Sequence, residues 1–160
     1  MKNSGANFAK PEPPTGLIRY DNAIGLAYTP VRTENVMLGN QNLVAFVPVT
    51  NADKARTFYR DTLGLRLLAE DNFALLFDVE GVHLRVTLVG KFRPQPFTVL
   101  GWAVNDAAGF ARRLAAASIK GERFPGLEQD DLGLWTAPGG AKILWFKDPD
   151  GNILSLSQLP

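Results

Sequence analysis

The chain has 160 residues, 46% hydrophobic, 10% aromatic and 21% charged, with a net charge of +1. This is the makeup of one ordinary folded domain, and so even a charge balance gives no pull toward nucleic acid or another polyanion. There is no cysteine, which excludes disulfides, thiolate catalysis and cysteine-ligated zinc together. No apolar run approaches the roughly 18 residues of a membrane-spanning helix. The N-terminus has Lys2 but no apolar stretch behind it, so a cytoplasmic protein is expected.

In chain order, residues 1–40 come first and stand apart. Pro11, Pro13, Pro14 and Pro30 alternate with Gly5, Gly16, Gly25 and Gly39, and no periodicity persists, so the segment reads as a flexible extension. The other reading is an arm that packs on a neighbouring subunit. Met37 precedes the first strand; a chain begun there is expected to keep the compact domain.

Residues 43–49 form a predicted strand, followed by a helix over 52–62 that is capped by Asn51, buries Ala55, Phe58, Tyr59 and Leu63, and stops at Gly64. Strands are predicted over 65–70, 73–78 and 82–89, the last two joined by a Glu80-Gly81 turn. A linker, 90–96, holds Pro94 and Pro96. The pattern then repeats: V-A-F-V-P-V-T-N-A-D from Val44 is answered by V-L-G-W-A-V-N-D-A-A from Val99, 55 residues on. Strand 97–104 leads into a helix over 107–117 capped by Asp106, a weak strand near 121–124, an acidic loop at 128–131, and strands over 134–136, 142–146 and 152–157. Pro138-Gly139-Gly140 and Asp148-Pro149-Asp150-Gly151 supply the two hairpin turns. Each half is β-α-β-β-β, at about 42–90 and 97–158, within one domain over 41–160.

Phe58-Tyr59 followed by Leu63-Gly64-Leu65, the doubled module, and above all Phe146-Lys147-Asp148-Pro149-Asp150-Gly151-Asn152 resemble the vicinal oxygen chelate superfamily, which includes glyoxalase I, extradiol dioxygenases, and fosfomycin and bleomycin resistance proteins. The resemblance implies an α+β fold in which two paired βαβββ modules form a curved mixed sheet around a concave pocket. It also implies a divalent metal held by His, Gln or Glu at four inward positions. Those positions fall here on Val44, Arg85, Val99 and Ser155, which offer no converging imidazole or carboxylate donors. With a single histidine in the chain, a relocated histidine-rich site is not available, so no metal and no other cofactor is expected.

What remains is a pocket. If Val82, Leu84, Val86 and Leu88 pack under a helix, the alternating His83, Arg85 and Thr87 face the concavity, and Val44, Phe46, Val99 and Ser155 join them as candidate ligand-binding residues. His83 reads either as a general acid or base or as a polar residue beside a turn, and the plainer reading is favoured. Arg85 reads either as a fork for a carboxylate or phosphate or as the ion-pair partner of Glu70 or Asp78. Trp102, Trp135 and Trp145 read first as core, with stacking on an aromatic ligand as the alternative. Glu128, Asp130 and Asp131 read as a solvated loop.

The expected function is metal-independent binding of a hydrophobic or weakly anionic small molecule, of the glyoxalase and bleomycin-resistance type. A lyase or isomerase using His83 and Arg85 is the alternative, and no catalytic residue is assigned. Expected partners are the ligand and a second copy in a homodimer, with no nucleic acid and no membrane.

Overall fold

The computed structural model describes residues 37–160. The expected N-terminal extension lies outside the described residues except for its last four, an exposed turn in which the Gln41 N–H donates to the Leu38 carbonyl at 3.0 Å.

Strand β1 (Val44–Val49) enters helix α1 (Ala52–Arg56) through Asn51, whose side chain accepts from the Lys54 N–H at 2.9 Å. A single α-helix was expected as far as Thr62. Instead the chain widens into a π-helical stretch over Thr57–Thr62, where the Leu63 N–H donates to the Phe58 carbonyl at 2.9 Å, five residues back. A π turn winds through a smaller angle per residue, so the adjacent Phe58 and Tyr59 both turn inward and meet edge to face at 5.1 Å. Gly64, at a φ of +76°, ends the stretch where a side chain would be strained.

Strands β2 (Arg66–Glu70), β3 (Ala74–Val79) and β4 (Val82–Leu88) complete a sheet in the order β1-β4-β3-β2, with β1 parallel to β4. The second half repeats the plan. Strand β5 (Thr98–Ala103) leads to helix α2 (Ala107–Ala116), capped by Asp106 through a 2.8 Å bond from the Gly109 N–H. Strands β6 (Trp135–Thr136), β7 (Lys142–Lys147) and β8 (Ile153–Gln158) then give the order β5-β8-β7-β6, with β5 parallel to β8. The fold is α+β, built of two βαβββ modules.

No strand forms over 121–124, contrary to the sequence expectation. After one bond from the Glu122 N–H to the Trp145 carbonyl at 2.7 Å, the Gln129 amide takes over. It accepts from the Phe124 N–H at 2.8 Å and donates to the Glu122 and Gly133 carbonyls at 2.8 and 2.6 Å. A side chain satisfies the backbone that a neighbouring strand would have bonded, so the segment stays a loop. In the acidic loop Asp130 is a turn former, its Oδ1 accepting from the Leu132 and Leu134 N–H groups at 2.9 Å each.

Alternation places Val47 and Val49 of β1, Leu75 and Phe77 of β3, and Leu84 and Val86 of β4 on the helix side of the first sheet; Leu144, Phe146, Leu154 and Leu156 do the same in the second. With Ala55, Tyr59, Ala111 and Leu114 from the helices they form one continuous core, each large side chain contributing about 1.5–3 kcal/mol by burial. Both helix-side faces share this core, and the edge strands β1 and β5 touch.

The Asp148–Asn152 turn locks the modules together. Asp148, 5% exposed, accepts from the Asp150 and Asn152 N–H groups at 2.9 Å through Oδ1, and from the Tyr59 hydroxyl at 2.8 Å and Asn152 Nδ2 at 2.7 Å through Oδ2. Asn152 Nδ2 also donates to the Pro48 carbonyl at 2.7 Å, and Asp150 accepts from the Thr50 hydroxyl and N–H. Pro48 is tolerated because β1 is an edge strand of its sheet.

Candidate functional site on the open face

Strand registers lay out the open face of the first sheet in rows. In the outermost row Val44 lies beside His83 and His83 beside Asp78, itself opposite Arg66. The next sets Phe46 beside Arg85 and Arg85 beside Leu76; the innermost sets Pro48 beside Thr87 and Thr87 beside Ala74. Val44 and His83 are exposed, Arg85 and Thr87 half-buried, and Phe46 remains 62% exposed. An exposed phenylalanine beside a half-buried arginine is an apolar surface with one cation set in it.

The carboxylates of this half are committed elsewhere. Glu70 receives two bonds from Arg56, one of them from Nε at 2.9 Å, and Asp78 takes the Arg66 guanidinium at 2.8 Å. Each arginine holds its partner's carboxyl below the ordinary range. Glu70 is out of reach of Arg85 because β2 bulges between Leu67 and Ala69: Arg66 and Ala69 face the open side, while Glu70, opposite Leu75, is turned to the helix side. Among the described residues Arg85 forms no ion pair. Asp71 is lowered chiefly by N–H bonds from Phe73 and Ala74, and to a smaller degree by the charge of Arg85. Thr87 carries the one buried side-chain oxygen without a hydrogen-bond partner among the described residues.

On the second sheet Ser155 lies between Gly101 and Trp145 and is 7% exposed. A Cβ at 101 would stand 2.6 Å from Ser155 Oγ, so a larger residue there needs the Ser155 hydroxyl to rotate. Phe46 and Gly101 are repeat equivalents, so Arg85 and Ser155, their strand neighbours, occupy matching places. Val99 is set apart: β5 bulges between Thr98 and Leu100, and the extra residue packs half-buried against the core.

The sequence favours the core for all three tryptophans, with stacking on a ligand as the alternative. Trp102 does pack against it, but Trp145 shares the open side with Ser155, and Trp135 lies beside it. Their rings stack at 6.1 Å and 29°, and Phe124 meets Trp145 edge-on at 5.1 Å. Unbroken apolar character over Ile143-Leu144-Trp145-Phe146 hides the alternation, although the buried Leu144 and Phe146 imply that Trp145 faces the other way.

A separate cleft of about 260 Å³ lies on the helix side, between α2 and the 63–65 turn; Leu63, Leu65, Trp102, Phe110 and Leu114 are among its lining, which includes no polar side chain. It can hold apolar bulk but offers no chemistry.

Two valines, an arginine and a serine at the four inherited ligand positions do not fit a divalent cation. Among the described residues no three His, Asp or Glu side chains converge elsewhere.

The chain matches the family profile described as Glyoxalase/Bleomycin resistance protein/Dioxygenase superfamily over residues 41–156. It belongs to that superfamily. Solved structures of other glyoxalase-type proteins agree. A glyoxalase family protein from Enterococcus faecalis is 22% identical, with a TM-score of 0.59 over 76% of this chain and 99% of its own. A glyoxalase-related enzyme from Fulvimarina pelagi gives 20% identity and 0.60 over 76% and 89%, and a lactoylglutathione lyase from Agrobacterium tumefaciens 17% and 0.59 over 76% and 96%. At these identities the likeness speaks for the fold alone. No curated protein sequence matches the chain. No helix among the described residues of this superfamily member is long and apolar enough to cross a membrane.

Proposed function

We propose that this protein binds a small acidic molecule with an apolar body, without a divalent metal, on the open face of its sheets, in the manner of the binding members of the glyoxalase and bleomycin-resistance group. The ligand is taken to lie against Val44, Phe46, Thr87 and Ser155, with Val99 at the margin, and to present its acid to Arg85. One observation carries the reading: Arg85 is a half-buried cation without an ion pair among the described residues, Glu70 and Asp78 being held by other arginines and Asp71 by the Phe73 and Ala74 N–H groups. A charged hydrogen bond there contributes about 1.5–3 kcal/mol. Arg85→Ala should therefore weaken an acidic ligand about tenfold or more with the fold intact, while His83→Ala changes affinity little. Equal affinity for acids and their amides in calorimetry would remove the reading.

A second reading, a lyase or isomerase, draws support from His83, which is exposed, two residues from Arg85 and opposite Asp78. In it the imidazole removes a proton and Arg85 stabilises the resulting enolate. Loss of turnover of some substrate in His83→Ala, with Arg85→Ala still active, would put this reading in place of the first.

The binding protein is further taken to act in the cytoplasm and as a homodimer. Sedimentation showing only a 17.5 kDa species at micromolar concentration would count against the dimer.

A further inference from the structure

The aromatic cluster of the second sheet has no part in the core, yet it holds three rings in contact. Trp145 is bracketed by Trp135 and Phe124, all three are half-buried, and none is in the core cluster. Beside Trp145 on the same face the sheet is nearly bare: Ser155 is followed by Gly101, and the next row runs from Ile143 through Ser157 to the exposed Ala103. Gly101 carries no side chain and Ser155 a short one, which leaves a flat ledge beside the indole. A planar apolar ring fits there, with its edge or face against Trp145.

Resting on the acid-binding reading above, we infer that the ligand of the open face is an aromatic acid, with its ring system on the ledge beside Trp145 and its carboxylate or other anionic group at Arg85. Charge complementarity selects the acid and the indole stack selects the ring. Arg85 on β4 and Trp145 on β7 belong to two separate four-stranded sheets whose edge strands β1 and β5 touch.

The test uses the full chain and two probes, 8-(2-naphthyl)octanoate and dodecanoate, in titration calorimetry on wild type, Arg85→Ala and Trp145→Leu. Expected is a loss of about tenfold for both probes in Arg85→Ala, and in Trp145→Leu a loss of about three- to tenfold for the naphthyl acid only. Trp145→Phe, which keeps a ring, should retain most of the naphthyl preference. If Trp145→Leu does not fold by circular dichroism, Trp135→Leu removes the outer ring of the stack and is expected to lower naphthyl affinity selectively. Equal effects of the tryptophan substitutions on both probes, with Arg85→Ala weakening both, would overturn the aromatic inference and leave the acid-binding reading standing. If neither probe responds to Arg85→Ala, the acid-binding reading falls and the inference falls with it.

Discussion

Four arginines of the first module divide the available carboxylates unequally. Arg56 takes Glu70 and Asp53, Arg60 takes Asp61, and Arg66 takes Asp78, which leaves Arg85 without an ion pair among the described residues. Thr87, two residues along on the same face, has the complementary defect of a buried hydroxyl with no partner among the described residues. Burying such a group costs about 1–3 kcal/mol, and the isosteric Thr87→Val removes the group without leaving a hole. We expect this substitution to raise stability by about 1 kcal/mol, read as a higher urea midpoint at constant m-value; an unchanged or lower midpoint would show that the hydroxyl is satisfied. Gly101→Ala should change the midpoint little, because the Ser155 hydroxyl, 2.6 Å from the new Cβ, can rotate away while the Ser155 carbonyl stays at 3.4 Å. The alternation of β4 was legible in the sequence, and with it the shared face of His83, Arg85 and Thr87. The partner of Arg85 was not: simple alternation from Arg66 through residue 68 puts Glu70 on the open face, and a bulge of one residue, with no glycine to announce it, turns Glu70 away.

At the level of elements, the F-x-D-P-D-G-N stretch could be read as a good hairpin turn, but not as a clamp. Its carboxylates reach Tyr59 and Thr50, 89 and 100 residues away in sequence, and no local pattern reports a partner at that distance. Module one has only Glu80-Gly81 at the matching turn and no equivalent network, and module two has Leu114 at the repeat position of Tyr59. Tyr59→Phe leaves a buried oxygen of Asp148 short of one donor and should cost about 1–3 kcal/mol, seen as a lower midpoint in denaturant. The same phenol gives a pH signature. Burial first, and then the Asp148 carboxylate, push the Tyr59 pKa far up from its ordinary 10.0. A folded value above the unfolded one means stability that is complete below pH 10 and declines as the unfolded chain ionises above it; Tyr59→Phe should flatten that alkaline limb. On the acid side the signs reverse. Glu70, Asp78, Asp61 and Asp71 all lie below their ordinary 4.5 and 3.8 in the folded state, so their contribution is present above those values and is lost as pH falls through them. A thermal midpoint that is level near neutrality and declines below about pH 4.5 is expected, whereas a midpoint that rises on acidification would contradict these assignments.

Over the whole molecule, the two modules are bound by one core and by side chains of a single turn, while the covalent connection between them is mostly exposed, with Lys91, Arg93, Gln95, Pro96 and Phe97 open to solvent. Shared burial makes unfolding a single event, and neither half alone can cover the apolar face it shares with the other. A peptide of either half should be unfolded on its own, and a chain begun at Met37 should melt in one transition; a stable isolated half would contradict the shared core. The doubled βαβββ plan was visible in the sequence because the strand, cap and helix signals recur at a fixed interval. The fusion of the two cores was not, since the contacts that unite them join residues separated by most of the chain. It follows that the linker acts only by holding the halves at high local concentration. A chain cut between Gly90 and Phe97 should remain assembled and keep its open face, and two separately made halves, mixed, should find each other. The protein is in this sense a heterodimer written as one polypeptide, and it could serve as a split reporter whose reassembly is read through Trp145.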